Sequence, residues 1–250
     1  MLTKTIYCTF LIATISLFNI AGTSAKENMS DALRKEVEAV IQDYILKNPE
    51  VLMRAIQTYQ VKAQAAKSER AKKNLTSLTS ELSHNAGSPV IGNPAGDITI
   101  VEFFDYRCGY CKRVFPTIQA LLEEDGNIRY VLKELPILGP DSLFASQAAL
   151  AVWNTTPEKY LPFHAALMAS RGSLNAEKIF TIADDLGLNK DVITKGMKNE
   201  SVNNELNKNA ELSERLDITG TPAFIIGDQL SPGAISMQEI KRMVALARKR

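Results

Sequence analysis

The sequence is poor in cysteine, histidine and tryptophan. Its 250 residues include three cysteines, two histidines and one tryptophan. Small secreted scaffolds held by disulfides need several cysteine pairs, and a closed structural zinc site needs four ligands. This composition therefore gives no support to a disulfide scaffold or to a dedicated zinc protein, and the chain is long enough for one sizeable core and an accessory element.

Other common signatures are also missing. The formal net charge is +1, and charges of both signs are interspersed along the chain. A nucleic-acid partner would be indicated by a strong basic excess, so we expect none. The sequence also has no Walker A loop, no G-x-S-x-G elbow and no zincin helix, which gives no support to those three kinds of catalytic or nucleotide site.

The first 25 residues have the pattern of a secretory signal peptide. Lys4 supplies the positive region, Ile6 to Ile20 supply the apolar region, and small residues lead to Ala25. We expect residues 1–25 to be a signal peptide that is cleaved near Ala25. A membrane anchor is the alternative interpretation, but the apolar run is short for a membrane span.

Cleavage at that point would remove Cys8 and leave two cysteines, Cys108 and Cys111. Disulfides persist in exported proteins, yet no other cysteine would remain for a structural bridge. The pair has Cys-x-x-C spacing, which is typical of a redox site.

The stretch around these cysteines reads DITIVEFFDYRCGYCKRVFP. Ile98 to Phe104 predict a buried strand, and the apolar spacing after the cysteines predicts a helix. A cysteine at a helix N-terminus faces unpaired N–H groups and the positive end of the helix dipole, which stabilise a thiolate. We therefore expect Cys108 to be an acidic, exposed nucleophile at the N-cap and Cys111 to be a covered resolving thiol.

The spacing also suits reversible bond formation. Residues three apart on a helix have Cβ atoms about 5–6 Å apart, which is close to the separation that a disulfide requires. The stretch therefore predicts a dithiol–disulfide redox site.

Residues 26–84 predict a helical N-terminal extension. Apolar residues at helical spacing indicate a first helix capped by Ser30 or Asp31, and Pro49 suits the first position of a second. The second helix has a thin apolar stripe and cannot form a core by itself. We interpret the extension as a stalk that forms a homo-oligomer, a dimer or trimer, through residues 30–83; a helical hairpin folded onto the main domain is the alternative.

Within the extension, residues 30–59 are the predicted association surface and residues 60–83 a connecting helix. A loop rich in glycine, proline, asparagine and serine over residues 85–96 indicates a domain boundary. The main domain, residues 85–250, has the predicted order β-α-β, then a helical block over about residues 136–216, then β-β-α.

Three segments resemble the DsbA family of exported thiol–disulfide oxidoreductases. They are VEFFDYRCGYCK, KELP after the next strand, and GTPAFIIG before the final hairpin. With its extension the chain is similar to isomerase-like DsbA relatives and to suppressor-of-copper-sensitivity C proteins. The resemblance implies an α/β fold, namely a thioredoxin fold with an inserted helical domain, preceded here by an α-helical N-terminal stalk. It also implies a periplasmic location.

The resemblance implies roles for individual residues. Cys108 matches the nucleophile of the family and Cys111 its resolving partner, and together they form the redox-active disulfide. Pro222 matches a cis-proline that lies against the active site. Thr221 matches the preceding residue, whose backbone pairs with bound substrate.

Glu102 lies in the predicted strand, six residues before Cys108, and matches a buried acid of the family. A carboxylate inside a buried strand needs a partner or a raised pKa. We expect Lys133, on the neighbouring strand, to be that partner, and we place both residues among the catalytic groups, with Glu102 tuning Cys111 or moving its proton. The alternative is that Glu102 lies at a strand edge in water.

Gly109 and Tyr110, between the cysteines, replace the Pro-His of the best-known family member, and we place them with the substrate-binding residues. A tyrosine cannot supply the positive charge with which a histidine stabilises a thiolate. The basic residues Arg107, Lys112 and Arg113 either compensate in part or are solvated surface charges. We therefore expect a milder oxidant than the strongest family members.

Two directions of reaction share these residues. An oxidase introduces disulfides and an isomerase rearranges them. The resemblance implies unfolded or misoxidised secreted proteins as substrates and a membrane redox partner that reoxidises or reduces the site. We expect no cofactor and no metal.

Two other classes of function remain as alternatives. One is metal handling by the two thiolates with His84 or His164, although the apolar pattern around His164 favours a core position. The other is an adhesion or surface-antigen role carried by the stalk.

Overall fold

The computed structural model describes residues 30–249. The predicted signal peptide, residues 1–25, and Cys8 lie outside the described residues. The described chain falls into two compact units that divide between Gln60 and Val61. None of the helices within residues 30–249 combines the length and apolar character that a membrane span requires.

The N-terminal unit contains the two predicted helices. Helix α1 spans Asp31–Lys47, and the Ser30 hydroxyl at its N-cap accepts a hydrogen bond from the Leu33 N–H at 3.3 Å. Helix α2 spans Pro49–Ser83 and crosses the boundary between the units. No residue of α1 is buried. The large exposed apolar residues of this unit are Leu33, Val37, Val40, Ile41, Tyr44, Ile45, Leu46, Leu52, Met53, Ile56 and Tyr59.

The last part of α2 belongs to the core of the second unit. Leu75, Leu78 and Leu82 are buried in one apolar cluster with residues of the sheet. Their spacing places them on one face of the helix. The predicted connecting helix over residues 60–83 is therefore packed by its final turns, although the sequence placed the domain boundary after it.

A sheet of five strands, in the order β1-β3-β2-β4-β5, forms the centre of the second unit. Strands β2 and β3 are parallel, and the other neighbouring pairs are antiparallel. The strands are β1 Val90–Gly92, β2 Ile98–Phe104, β3 Ile128–Glu134, β4 Ala223–Ile226 and β5 Gln229–Pro232. Strand β1 lies inside the segment 85–96 that was predicted as a loop, because three residues are too few to show a strand pattern.

Seven helices of this unit follow the predicted order. Helix α3 connects β2 to β3, a helical block of five helices separates β3 from β4, and one helix ends the described chain. They are α3 Gly109–Glu124, α4 Pro140–Thr155, α5 Tyr160–Ala169, α6 Ala176–Asp185, α7 Lys190–Met197, α8 Glu200–Arg215 and α9 Met237–Ala247, with a short 3-10 helix at Pro157–Lys159 before α5.

The two faces of the sheet have separate cores. Ile100 and Phe104 of β2 lie in a large apolar cluster that includes both cysteines. Val101 and Phe103 lie in the cluster that contains the buried leucines of α2. Because side chains alternate along a strand, Glu102 is on the same face as the cysteines.

Candidate active site

The chain that follows strand β2 places the first cysteine at the start of α3, as the sequence predicted. Cys108 is the N-cap of α3, with φ −70° and ψ 114°. Its carbonyl accepts the first helical hydrogen bond, from the Lys112 N–H at 3.1 Å, and its own N–H donates to the Asp105 carbonyl at 3.0 Å. The sulfur is thus placed at the end of the helix where backbone N–H groups are unpaired.

The prediction that Cys108 is exposed is wrong. Only 6% of the residue is accessible, because the Thr221 segment covers it. The Cys108 thiol donates a hydrogen bond to the Thr221 carbonyl at 3.2 Å. The Thr221–Pro222 peptide bond is cis, which confirms the cis-proline that the resemblance implied.

Cys111 lies one turn inside α3 and is fully buried. Both cysteines are free thiols. Burial raises the pKa of the Cys111 thiol, and the nearby Glu102 carboxylate raises it further. Cys111 therefore needs a proton acceptor before it can act as a thiolate.

Glu102 is 3% exposed on a strand that has neighbours on both sides. Its Oε2 accepts a hydrogen bond from the Tyr130 hydroxyl at 2.6 Å. Burial raises the pKa of Glu102 from 4.5 to about 7, and the Tyr130 hydrogen bond only partly opposes this change. The predicted burial is confirmed, and the alternative of a solvated strand edge is wrong.

The predicted pairing of Glu102 with Lys133 is also wrong. In the β2–β3 register Glu102 is opposite Leu132, whereas Lys133 is opposite Phe103. Adjacent residues of a strand point to opposite faces, so the two charged groups are separated by the sheet. Lys133 instead lies within 3.7 Å of Glu205. The partner of Glu102 is Tyr130, which lies on β3 and on the same face of the sheet.

The basic residues around the cysteines have partners of their own. The Arg113 guanidinium lies 4.2 Å above the Tyr110 ring, and 59% of Tyr110 is exposed next to the site. The Lys112 ammonium donates to the Ser170 carbonyl at 2.7 Å, and Arg107 donates to the Leu138 carbonyl. These contacts hold Arg107 and Lys112 against carbonyl oxygens.

The two histidines have different environments. His84 is exposed, whereas His164 is fully buried among aromatic rings, and burial lowers its pKa to about 3. His164 is therefore a core residue, as its apolar pattern predicted. Across residues 30–249 there is no group of three or more histidine, cysteine, aspartate and glutamate residues placed to hold a metal ion.

Besides Asp105 and Glu205, the sequence interpretation missed a further buried acid, Glu134. It is at the end of β3, fully buried, and bound to the hydroxyl groups of Tyr106 and Ser146. This residue was quoted only as part of the KELP segment, and no catalytic motif pointed to it.

Comparison with known proteins gives a consistent assignment. Residues 99–245 match the DSBA-like thioredoxin domain, and residues 34–66 match the N-terminal domain of the copper resistance protein ScsC. Disulfide bond formation protein D of Bacillus subtilis is 24% identical over 63% of this chain and 76% of its own length.

Solved structures agree with this match. Proteus mirabilis ScsC in a transitional conformation is 33% identical, with a TM-score of 0.66 over 87% of this chain and 98% of that one. A thioredoxin-like oxidoreductase from Silicibacter pomeroyi is 38% identical, with a TM-score of 0.66 over 68% and 98% of the two chains. The predicted fold class, a thioredoxin fold with a helical insertion and an α-helical N-terminal segment, is confirmed. The chain belongs to the DsbA family, among the members that carry an ScsC-type N-terminal extension.

Proposed function

We propose that this chain catalyses thiol–disulfide exchange in exported proteins, with Cys108 as the nucleophile and Cys111 as the resolving thiol. The observation that carries the proposal is the position of Cys108, at the N-cap of α3 and 3.2 Å from the Thr221 carbonyl. A sulfur at this position has helix N–H groups to stabilise its thiolate.

The oxidised enzyme contains a Cys108–Cys111 disulfide. A substrate thiolate attacks the Cys108 sulfur, a mixed disulfide forms, and Cys111 leaves as a thiolate that takes up a proton. A second substrate thiolate then attacks the substrate sulfur of the mixed disulfide. The substrate leaves with a new disulfide, the enzyme is left as a dithiol, and a membrane redox partner takes the two electrons.

In this scheme Glu102 exchanges the proton of Cys111. Its pKa of about 7 lies near neutral pH, so it can give or accept a proton at little cost. The two groups interact electrostatically through the buried core between β2 and α3. Lys133 is excluded from this role because it lies on the other face of the sheet.

Substrate polypeptide binds beside the cis-proline segment. Thr221 presents its backbone to the sulfur of Cys108, and Gly109 and exposed Tyr110 form the opposite side of the site. A cavity of about 790 Å³ begins at Thr221 and Pro222 and continues along β5. An extended segment of an unfolded chain fits such a cavity, because it can use both backbone and apolar contacts.

Isomerisation is favoured over a purely oxidising role. Reduced Cys108 attacks an incorrect disulfide, and the thiols of the substrate rearrange it. The exposed apolar residues of α1 and early α2 support association of two or three copies through residues 30–83. Several redox sites in one assembly would hold a misoxidised substrate through successive exchanges.

The proposed location is the periplasm, after removal of residues 1–25. A related structure is described as a periplasmic thioredoxin-like protein from Salmonella enterica, 28% identical over 69% of this chain. In this compartment thiols of exported proteins become oxidised.

Two measurements test the function. Refolding of a scrambled disulfide substrate should be accelerated by the chain and lost in Cys108→Ser, whereas Cys111→Ser should accumulate a mixed disulfide. Alkylation at mildly acid pH should modify Cys108 at least tenfold faster than free cysteine. If Cys108 reacts no faster than free cysteine, or if Cys108→Ser retains turnover, the proposed function is wrong.

A further inference from the structure

The turn before Cys108, residues 105–107, has two buried residues and one exposed residue, Arg107. Asp105 and Tyr106 are both fully inaccessible. The Asp105 carboxylate accepts hydrogen bonds from the Ser142 hydroxyl at 2.7 Å and from the Leu138 N–H at 3.0 Å. The first turn residue is thus bound to α4 and to the segment before α4, which belong to the helical insertion.

Tyr106 makes the second attachment. Its hydroxyl donates to Glu134 Oε1 at 3.1 Å and lies 2.9 Å from His164 Nδ1. The ring packs edge-on between Phe104 and His164, with centroid distances of 5.1 and 5.4 Å. This residue has little freedom as long as Glu134 and His164 remain in place.

Glu134 joins three parts of the fold through one carboxyl group. Oε1 accepts from Tyr106 and lies 3.4 Å from the Tyr160 hydroxyl of α5. Oε2 accepts from the Ser146 hydroxyl of α4 at 2.7 Å. Burial raises the pKa of Glu134, and no ion pair within residues 30–249 joins it to a cation. A buried polar group of this kind is retained at a cost in stability unless its hydrogen bonds are satisfied.

The turn controls the position of the nucleophile directly. The Cys108 N–H donates to the Asp105 carbonyl, so a displacement of residues 105–107 moves the sulfur relative to the N–H groups of α3. Because the stabilisation of a thiolate by a helix terminus falls off within one turn, small displacements change its reactivity.

We propose that Glu134 is a positioning residue for the redox reaction: it holds Tyr106, and through Tyr106 the turn that keeps Cys108 at the N-terminus of α3. This inference rests on the proposed role of Cys108 as the nucleophile. Glu134 contacts neither substrate nor a reacting sulfur and acts through the turn. The helical insertion is thereby a support for the active-site turn as well as a cover over the sheet.

The test uses two tyrosines that point a hydroxyl at the same carboxylate oxygen. Tyr106→Phe removes the hydroxyl on the turn, and Tyr160→Phe removes the one on α5. For each full-length variant the alkylation rate of Cys108 at pH 6 and the equilibrium constant with glutathione are measured, with thermal unfolding as the measure of general stability.

Tyr106→Phe should slow alkylation and change the glutathione equilibrium constant by about three- to tenfold, the ratio that corresponds to one net hydrogen bond. Tyr160→Phe should leave both within about twofold of the wild-type chain, even where it lowers the unfolding temperature. Equal effects of the two substitutions, or no effect of Tyr106→Phe, would overturn the proposal.

Glu134 itself is tested by rescue and by coupling. Glu134→Gln keeps an oxygen acceptor for Tyr106 and should preserve the alkylation rate within about twofold, whereas Glu134→Leu should slow it as Tyr106→Phe does. The double variant Tyr106→Phe/Glu134→Leu should be no slower than Tyr106→Phe alone, because one contact is removed in both. Additive effects would show that the two residues act independently and would overturn the proposal.

The alkylation rate of the wild-type chain distinguishes failure of the proposed function from failure of the positioning role alone. Slow alkylation of wild-type Cys108, at the rate of free cysteine, would refute the proposed function and the positioning role together. Fast alkylation of the wild type with unchanged rates in Tyr106→Phe and Glu134→Leu would refute the positioning role alone.

Discussion

The acid–base properties of the redox site are set by two buried groups. Burial raises the pKa of Cys111 and brings that of Glu102 to about 7. The negative charge of Glu102 disfavours ionisation of Cys111, so the two groups lose their protons in separate steps, Glu102 before Cys111. Tyr130 limits this effect, because its hydroxyl donates to the ionised form of Glu102.

Substitution of Glu102 should change the pH dependence of stability. A carboxyl whose pKa is raised from 4.5 to about 7 on folding binds more protons in the native than in the unfolded state. The free energy of unfolding therefore falls as the pH rises through this interval. A tenfold change in proton affinity corresponds to about 1.4 kcal/mol, so the wild type should lose about 3 kcal/mol between pH 4 and pH 8 relative to Glu102→Gln.

Urea unfolding of both proteins at the two pH values measures this difference. Glu123→Gln, which alters an exposed carboxylate of α3, is the matched control and should give parallel curves with the wild type. A constant difference between wild type and Glu102→Gln across this pH range would show that Glu102 is not a buried acid with a raised pKa. Glu102→Gln should also alter the pH profile of thiol exchange, since it removes the proposed proton acceptor.

At the scale of single residues, the chemistry could be predicted from the sequence, but the contacts that support it could not. Cys108 at the N-cap follows from the strand–Cys-x-x-C–helix pattern, whereas the cis Pro222 was expected only from the resemblance to the DsbA family. The partner of Glu102 depends on the strand register, and the sequence pattern does not distinguish Lys133 from Tyr130 without it. The covering of Cys108 depends on Thr221, more than a hundred residues away.

A buried polar cluster joins three elements on the other face of the sheet. The Lys133 ammonium of β3 donates to the Ser88 hydroxyl at 2.7 Å and to the Glu81 carbonyl of α2 at 3.1 Å. Glu205 of α8 lies 3.7 Å from Lys133 and accepts from Ser88 at 2.6 Å. Burial lowers the pKa of Lys133, and the charge of Glu205 opposes this change. The cluster fixes the end of α2 against the sheet.

Loss of one partner should be costly. Lys133→Met leaves Glu205 as an uncompensated buried charge and should lower the free energy of unfolding by about 3–5 kcal/mol. Arg215→Met breaks the half-exposed ion pair with Glu81 and should cost no more than about 1 kcal/mol. Urea unfolding at pH 7 measures both changes in the free energy of unfolding.

A double variant completes this test. Lys133→Met/Glu205→Leu removes both charges and should recover much of the lost stability, because apolar groups can replace a buried ion pair. If Lys133→Met costs no more than Arg215→Met, the cluster does not anchor α2.

The order of elements was predictable, whereas two boundaries were not. The helical block between β3 and β4 shows clear helical periodicity and was found at its expected place. Strand β1 was missed because its hydrogen bonds to β3, and not its short sequence, define it. The last leucines of α2 pack into the core of the second unit. The sequence could not show this, because it depends on the surface that the helix contacts.

At the level of the whole molecule, the apolar surface of the N-terminal unit is the main unexplained feature. Helix α1 has no buried residue, and Leu33, Val37, Ile41 and Tyr44 repeat on one side of it at intervals of three or four. A helix with an uncovered apolar stripe of this kind is typical of an association surface. The proposed oligomer would bury this stripe, and it would bring several redox sites into one particle.

Charges placed on this stripe should therefore prevent association. Val37→Glu combined with Ile41→Glu removes about 1.5–3 kcal/mol of burial per residue and copy, so the chain that begins after Ala25 should change from a dimer or trimer to a monomer. Ala39→Glu combined with Gln42→Glu adds the same charge away from the stripe and should leave the mass unchanged. Sedimentation equilibrium measures both masses, and equal masses for the two double variants would refute the association surface.

The two double variants should also differ in activity. The monomer should still reduce a small disulfide at Cys108 but should no longer accelerate the refolding of a scrambled substrate.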